Sequence, residues 1–336
     1  EDNHAEAWPA LLQQCGRMAS RQSQWEKICR EAGSITGIDD QQARQFFEKH
    51  FVAHIVNPSQ REDGSPGTGL VTGYYEPLLR GSLVPGGLYQ HALYGKPDDL
   101  VRIDLASVYP ELSKMKLRGR MEGNRIVPYY DRADIDNSES PLRGNELVWV
   151  DDPVDAFFLH VQGSGKIRLD DGSMMAVGYA DQNGQPYTSI GRILIEQGEI
   201  AREDISLFTI RRWLRDNPQQ AMDLLEQNRS YIFFSVREVA DENPRGSLNV
   251  PLTPYRSIAV DPSTIPLGNP VWLDTSYPGD GSAMQRLTFA QDTGGAIKGY
   301  ARADLFCGNG DDAELLAGEM KQEARLYVLL PNQGRI

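Results

Sequence analysis

Residues 258–273 read IAVDPSTIPLGNPVWL, and residues 289–310 read FAQDTGGAIKGYARADLFCGNG. Short β-branched and aromatic runs alternate there with Gly and Pro turns, the pattern of closely spaced strands. Asp261, Asp292 and Asp304 each stand where a strand enters or leaves such a turn. Gly294, Gly295 and Gly299 allow unusual backbone angles and close approach of a neighbouring segment. Lys298 and Arg302 lie between the last two acids.

An aspartate beside a Gly-rich turn commonly accepts backbone N–H bonds, and DPSTIP predicts that use for Asp261. Asp292 fits structural and chemical use equally. Asp304 lies in ARADLF, a strand with apolar neighbours, which predicts a partly desolvated carboxyl with its pKa raised toward a proton-donating range.

Outward from this region, SYIFFSVRE, YRSIAVDPS, PVWLDTS, RLTFAQDTGG and RLYVLLP predict further strands after residue 230, with one helix near 313–323. LVTGYYEPLLRG, near 70–80, reads as another strand, after turn-rich 57–68 (NPSQREDGSPGT). Residues 5–50 carry helical periodicity, with Asp39–Asp40 capping the third helix. Between the β regions, 100–150 mix short strands and turns. Asp152–Pro153 then open the helix PVDAFFLHVQ, closed by Gly163, and KIRLDDGSMMAVGYA predicts a hairpin over Asp171–Gly172. Ser189 caps IGRILIEQ, ended by Gly198, and two helices follow near 204–216 and 218–227. A β region flanking a block of different character implies a discontinuous domain carrying an insertion.

Bulk properties narrow the function. The formal charge of −13 argues against nucleic acid as a partner, because that binding leans on Lys and Arg. No run of about 18 apolar residues exists to span a membrane. The polar opening EDNHAEAW is not a signal peptide, and a mature secreted chain would read the same way. Of three cysteines, Cys15 and Cys29 fall in adjacent helical segments, as a staple or as two buried thiols. Five scattered histidines without HExxH, and no cysteine pair at ligand spacing, predict no metal and no cofactor. GSGK at 163–166 lacks the rest of a phosphate loop. SxxK at 113–116 lacks its partner motifs, and no GxSxG elbow is present.

TGYYEP (72–77), HVQGSGK (160–166), YADQNGQPYTSIG (179–191), SYIFF (230–234), VDPSTIPLG (260–268) and QDTGGAIKGYARADLF (291–306) together resemble the membrane-bound lytic transglycosylase A family, in order and over most of residues 70–330. The resemblance implies a mainly β fold with helices. A double-psi β-barrel, with the N-terminal helices, would span 1–99 plus 235–336, and an inserted second β-barrel-like domain 100–234. A groove between them would hold a peptidoglycan strand. The family's three-aspartate module maps onto Asp261, Asp292 and Asp304, with the catalytic acid on Asp304 and its neighbouring acid on Asp292. The stretch TGGAIKGYARA between those two is one residue longer than in enterobacterial members, which would matter if it displaced Asp304 from its strand.

In such an enzyme one acid suffices, because the C6 hydroxyl of N-acetylmuramic acid serves as nucleophile and no water needs activation. Tyr74, Tyr75 and Glu76 on one part of the chain, Gln162, Gly163 and Ser164 on another, and Lys298 near the acids are the candidate sugar contacts. His160 reads as a core histidine and Phe157–Phe158 as core. Phe233–Phe234 lies in a strand, with one ring expected inward. The alternatives are an inverting glycoside hydrolase pairing Asp304 with Asp292 or Glu76, and a non-catalytic expansin-type glycan-binding module. The resemblance also implies a monomer at the periplasmic face of the outer membrane, lipid-anchored upstream of this chain, with other cell-wall synthesis or hydrolysis proteins as partners.

Overall fold

The computed structural model describes residues 2–20, 23–56, 68–238 and 243–332. The turn-rich reading of 57–68 falls outside these, apart from Thr68. The chain forms two compact units, one of residues 1–75 and 243–336, the other of residues 76–242.

The first unit opens with a 3-10 turn (His4–Ala7) and three helices, α1 (Trp8–Met18), α2 (Ser23–Gly33) and α3 (Asp40–His50). Asp39 caps α3 as expected, and Gln42 closes a capping box. Cys15 and Cys29 form a disulfide between α1 and α2, with Cα atoms 5.4 Å apart. Closing a loop of about 15 residues in the unfolded chain contributes about 3 kcal/mol. Reduction is therefore expected to lower urea stability by roughly that amount, measured with and without dithiothreitol. An unchanged midpoint would refute it.

Strands β1 (Phe51–Ile55) and β2 (Gly69–Glu76) follow. The run LVTGYYEPLLRG, read as one strand, is divided at Pro77. Proline has no N–H for the ladder, and the chain passes into the second unit there.

The second unit contains β3 (Leu78–Ser82), β4 (His91–Tyr94), β5 (Val101–Arg102), β6 (Arg118–Glu122), β7 (Arg125–Pro128), α4 (Arg132–Asp136) and β8 (Glu146–Val150). Helix α5 (Pro153–Gln162) is capped by Asp152 and closed by Gly163 in the left-handed region (φ 81°), as its sequence predicts. Strands β9 (Ser164–Leu169) and β10 (Met174–Gln182) form the expected hairpin, and α6 (Ile190–Glu196), α7 (Leu207–Asp216), α8 (Pro218–Glu226) and β11 (Ile232–Arg237) complete the unit. Its main sheet has the order β11-β10-β9-β3-β8-β4, with a separate β5-β6-β7 sheet. Phe233 and Phe234 are both buried, contrary to the one-ring-inward expectation. Phe233 packs with Tyr129, Tyr231 and Ile135, and Phe234 with Leu93, Val148 and Val177. Both faces of β11 are covered at its first half, while Ser235 and Val236 farther along are exposed, so alternation exposes neither ring.

The first unit resumes with β12 (Ser257–Val260), β13 (Pro270–Ser276), β14 (Ala283–Asp292), β15 (Arg302–Asn309), α9 (Asp311–Glu319) and β16 (Lys321–Pro331). Helix α9 stops before the expected residue 323, because Lys321–Glu323 pair with Leu70–Thr72 of β2 instead. The sheet order is β1-β16-β13-β14-β12-β15-β2, and β16 also pairs with β2. One apolar cluster is built by Ile258, Val260, Val271, Leu305 and Leu326 of these strands. A second joins α1–α3 to Leu287 and Phe289 of β14.

Candidate active site

The register of three strands assembles the acids. Ala259 of β12 pairs with Asp292 of β14 on one side and with Asp304 of β15 on the other. Residues paired across adjacent strands share a face, and two strand spacings put the acidic Cα atoms about 10 Å apart. Next to β15 lies β2, whose Thr72 and Tyr74 are two residues apart and so point the same way. Four polar side chains are thus gathered on the strands around Ala259.

Thr72 Oγ1 donates to Asp304 Oδ1 and accepts from Arg302 Nη2 at 2.8 Å. Among the described residues no donor reaches the second Asp304 oxygen. Burial pushes the Asp304 pKa up to about 6, against the opposing pull of Arg302 and the Thr72 hydrogen bond, while Asp292 adds to the rise. The longer loop does not displace this residue. Ala301 turns the chain with φ 50°, and Asp304 sits in β15.

Asp292 is held on both oxygens. Its Oδ1 accepts from Ser247 N–H (2.8 Å), Ser247 Oγ (2.9 Å) and Thr293 N–H (2.8 Å), and its Oδ2 accepts from Tyr74 Oη at 3.1 Å. Burial still raises its pKa despite these donors. The Tyr74 ring lies 5.3 Å from Phe306, and burial with the Asp292 and Asp304 charges keeps the phenol protonated. Gly73, between Thr72 and Tyr74, has no room for a side chain, since a Cβ there would approach Ala317 Cα to 2.7 Å. Its glycine lets α9 close on β2.

Asp261 takes the turn role its context predicts. It accepts from Ser263 N–H (3.0 Å), Ser263 Oγ (2.7 Å) and Gly299 N–H (2.9 Å), clamping the 293–301 loop. Burial would raise its pKa, but those hydrogen bonds outweigh it and lower the value.

The other candidates are divided between the two units. Lys298 is exposed on the loop that Asp261 clamps. Tyr75 is 3% exposed, and its hydroxyl donates to Glu314 at 2.9 Å. In the second unit, Glu76 is fully buried, bonded to Arg237 and 3.6 Å from Lys166 Nζ. Gln162 ends α5, Gly163 caps it and Ser164 starts β9. Sequence reasoning missed Thr72, Ser247 and the spacer Ala259. Thr72 was within reach as the residue two before Tyr74, on the same strand face. Ser247 carried no signal, because it meets Asp292 only through the fold.

Known proteins resemble this chain over most of its length. Residues 70–235 match the model described as MltA specific insert domain, and residues 256–330 match the 3D domain. A membrane-bound lytic murein transglycosylase A from Vibrio cholerae is 32% identical over 270 residues, 78% of this chain and 66% of that protein. The chain thus spans about two thirds of the length of that relative. The crystal structure of a membrane-bound lytic murein transglycosylase from Agrobacterium tumefaciens superposes with TM-score 0.86 at 33% identity, covering 98% of this chain and 93% of that one. That of Escherichia coli MltA with bound chitohexaose gives TM-score 0.71 at 28% identity, covering 98% and 89%. With such identity sustained over nearly the full length of a solved relative, the chain belongs to the membrane-bound lytic murein transglycosylase A family.

Proposed function

We propose that this protein is a lytic transglycosylase that cleaves the β-1,4 bond between N-acetylmuramic acid and N-acetylglucosamine in peptidoglycan, with Asp304 as its single acid and base. The observation carrying this reading is the contrast between the two carboxyls. Asp304 has its pKa pushed up to about 6 and, among the described residues, one oxygen without a donor, whereas Asp292 has both oxygens engaged. A carboxylate bound by four donors is poorly placed to activate water, which disfavours the two-carboxylate hydrolase.

In the proposed sequence, protonated Asp304 gives its proton to the bridging oxygen as the C1–O bond breaks, releasing the N-acetylglucosamine 4-hydroxyl. The muramyl C6 hydroxyl then attacks C1 and yields its proton to the Asp304 carboxylate. A 1,6-anhydro ring forms, no water is consumed, and the acid is restored. Thr72 and Arg302 hold the reacting carboxyl, and Asp292 with Tyr74 places negative charge near the oxocarbenium-like centre. The bound chitohexaose of the Escherichia coli relative supports a glycan as ligand. Lys298 and Tyr75 of the first unit, and Glu76, Gln162, Gly163 and Ser164 of the second, are proposed to contact the glycan or to support residues that do. The first unit is read as the double-psi barrel and the second as its insertion. The Cys15–Cys29 disulfide and the relatives' membrane-bound description support a lipid-anchored protein facing the periplasm.

Mass spectrometry of digested sacculi tests the reaction. Products should be one water lighter than hydrolysis products and resistant to borohydride, and new reducing ends would overturn the mechanism. The acid must be protonated to act, so the rate should fall as pH rises through about 6, by about tenfold per unit above it. A rate profile flat from about pH 5 to about pH 8 would remove Asp304 from the proton-donating role.

A further inference from the structure

The second unit encloses a cavity of about 290 Å³ lined by residues between Gln90 and Tyr231. That lies at the low end of ligand-pocket volumes, roughly 300–1,000 Å³, too small for a glycan strand and suited to one amino-acid unit. Its chemistry is two-sided. Asp136, Glu146 and Glu226 line it together with the rings of Trp149 and Tyr231, a setting for an ammonium group, and Asp136 is also 3.5 Å from the Arg132 guanidinium on the same lining. Among the described residues Glu226 has no hydrogen bond or ion pair. Desolvation raises the Asp136 pKa against the pull of Arg132, and the Glu226 charge adds to that rise, so a bound cation would relieve both acids.

His160 supplies the other polarity. It is 7% exposed, and its Nδ1 accepts from Ile232 N–H at 3.2 Å, which places the ring proton on Nε2. Burial and the nearby Arg132 charge keep the ring neutral. Its Nε2–H has no acceptor among the described residues, although the ring lines the cavity. A carboxylate would satisfy that donor, and Arg143 also lines the cavity.

We propose that this cavity binds the zwitterionic diamino-acid end of a peptidoglycan peptide stem, its ammonium toward Glu226 and Asp136 and its carboxylate toward His160 and Arg143. The choice of occupant rests on the proposed peptidoglycan activity, and the site would anchor the stem while the glycan is cut elsewhere. Calorimetry with the tripeptide L-alanyl-γ-D-glutamyl-meso-diaminopimelate, free of sugar, is the test. Binding is expected, weakened about tenfold or more by Glu226→Gln and by Arg143→Ala, and lost when the free side-chain amine is acetylated. Release of product from peptide-free glycan strands should be unchanged in both variants. Absence of tripeptide binding, equal binding of the acetylated peptide, or indifference to both substitutions would overturn the site. Because this readout contains no glycan, tripeptide binding by a protein that fails to cleave sacculi would sink the proposed reaction and leave the site standing.

Discussion

Asp304→Asn is expected to lower product release from sacculi by about 10²–10⁴-fold, the usual contribution of a positioned general acid, without loss of the fold. The asparagine carbonyl can still accept the Thr72 hydroxyl that now reaches Oδ1, so the local hydrogen bonding is preserved. The sign of the stability effect is an independent check. In the folded chain this carboxyl has its pKa raised to about 6, above the ordinary aspartate value, so it ionises less readily than in the unfolded chain. Its ionised form therefore destabilises the fold as pH rises through about 6, and the neutral amide removes that effect. The variant should melt no lower than the wild type at neutral pH. Near-wild-type anhydro-product release would refute the catalytic role, and collapse of the fold would show a structural carboxyl instead.

The second large effect lies behind the site. Arg256 is 2% exposed, one residue before β12. Its Nη1 donates to Asp2 (2.8 Å) and to the Leu287 carbonyl (3.0 Å), and its Nη2 to the Asn3 carbonyl (2.8 Å) and Glu6 (2.9 Å). Asp2 accepts in turn from the Leu287 N–H at 2.8 Å. This network ties the N-terminal segment to β14 and to the start of the strand that holds Ala259 between the acids. Arg256→Ala leaves the buried Asp2 carboxylate without its countercharge, an expected loss of about 3–5 kcal/mol. Urea unfolding measures it, and a loss below about 1 kcal/mol would mean that water or a relaxed N-terminus replaces the guanidinium. Because β12 spaces the acids, turnover should decline before the midpoint of unfolding is reached.

The two substitutions probe features of different legibility. Asp304 stood out because an acid among apolar strand residues is unusual, and its motif carries a family resemblance. Arg256 attracted no notice, since an arginine in YRSIAV could face solvent as readily as the core, and its acidic partners Asp2 and Glu6 lie 254 and 250 residues away. Tyr74 and Glu76 show the same contrast within one motif. The alternation of TGYYEP places Thr72 and Tyr74 on one face, where both reach the acids. Glu76 follows that alternation but lies in the second unit, neutralised by Arg237 and Lys166.

By itself the sequence determined what depends on neighbours along the chain. The Asp39, Asp152 and Ser189 caps, the 170–173 turn and the Asp261–Ser263 turn follow from side chains bonding to backbone within a few residues, and the Gly163 helix end from a left-handed φ that glycine adopts freely. Only the tertiary structure decided what depends on distant pairing: the two acids flanking Ala259, the donors that occupy Asp292, the burial of both Phe233 and Phe234, and the passage into the second unit after β2. Strand register and burial depend on which segments meet across the sheet, and local patterning restricts those partners without selecting them.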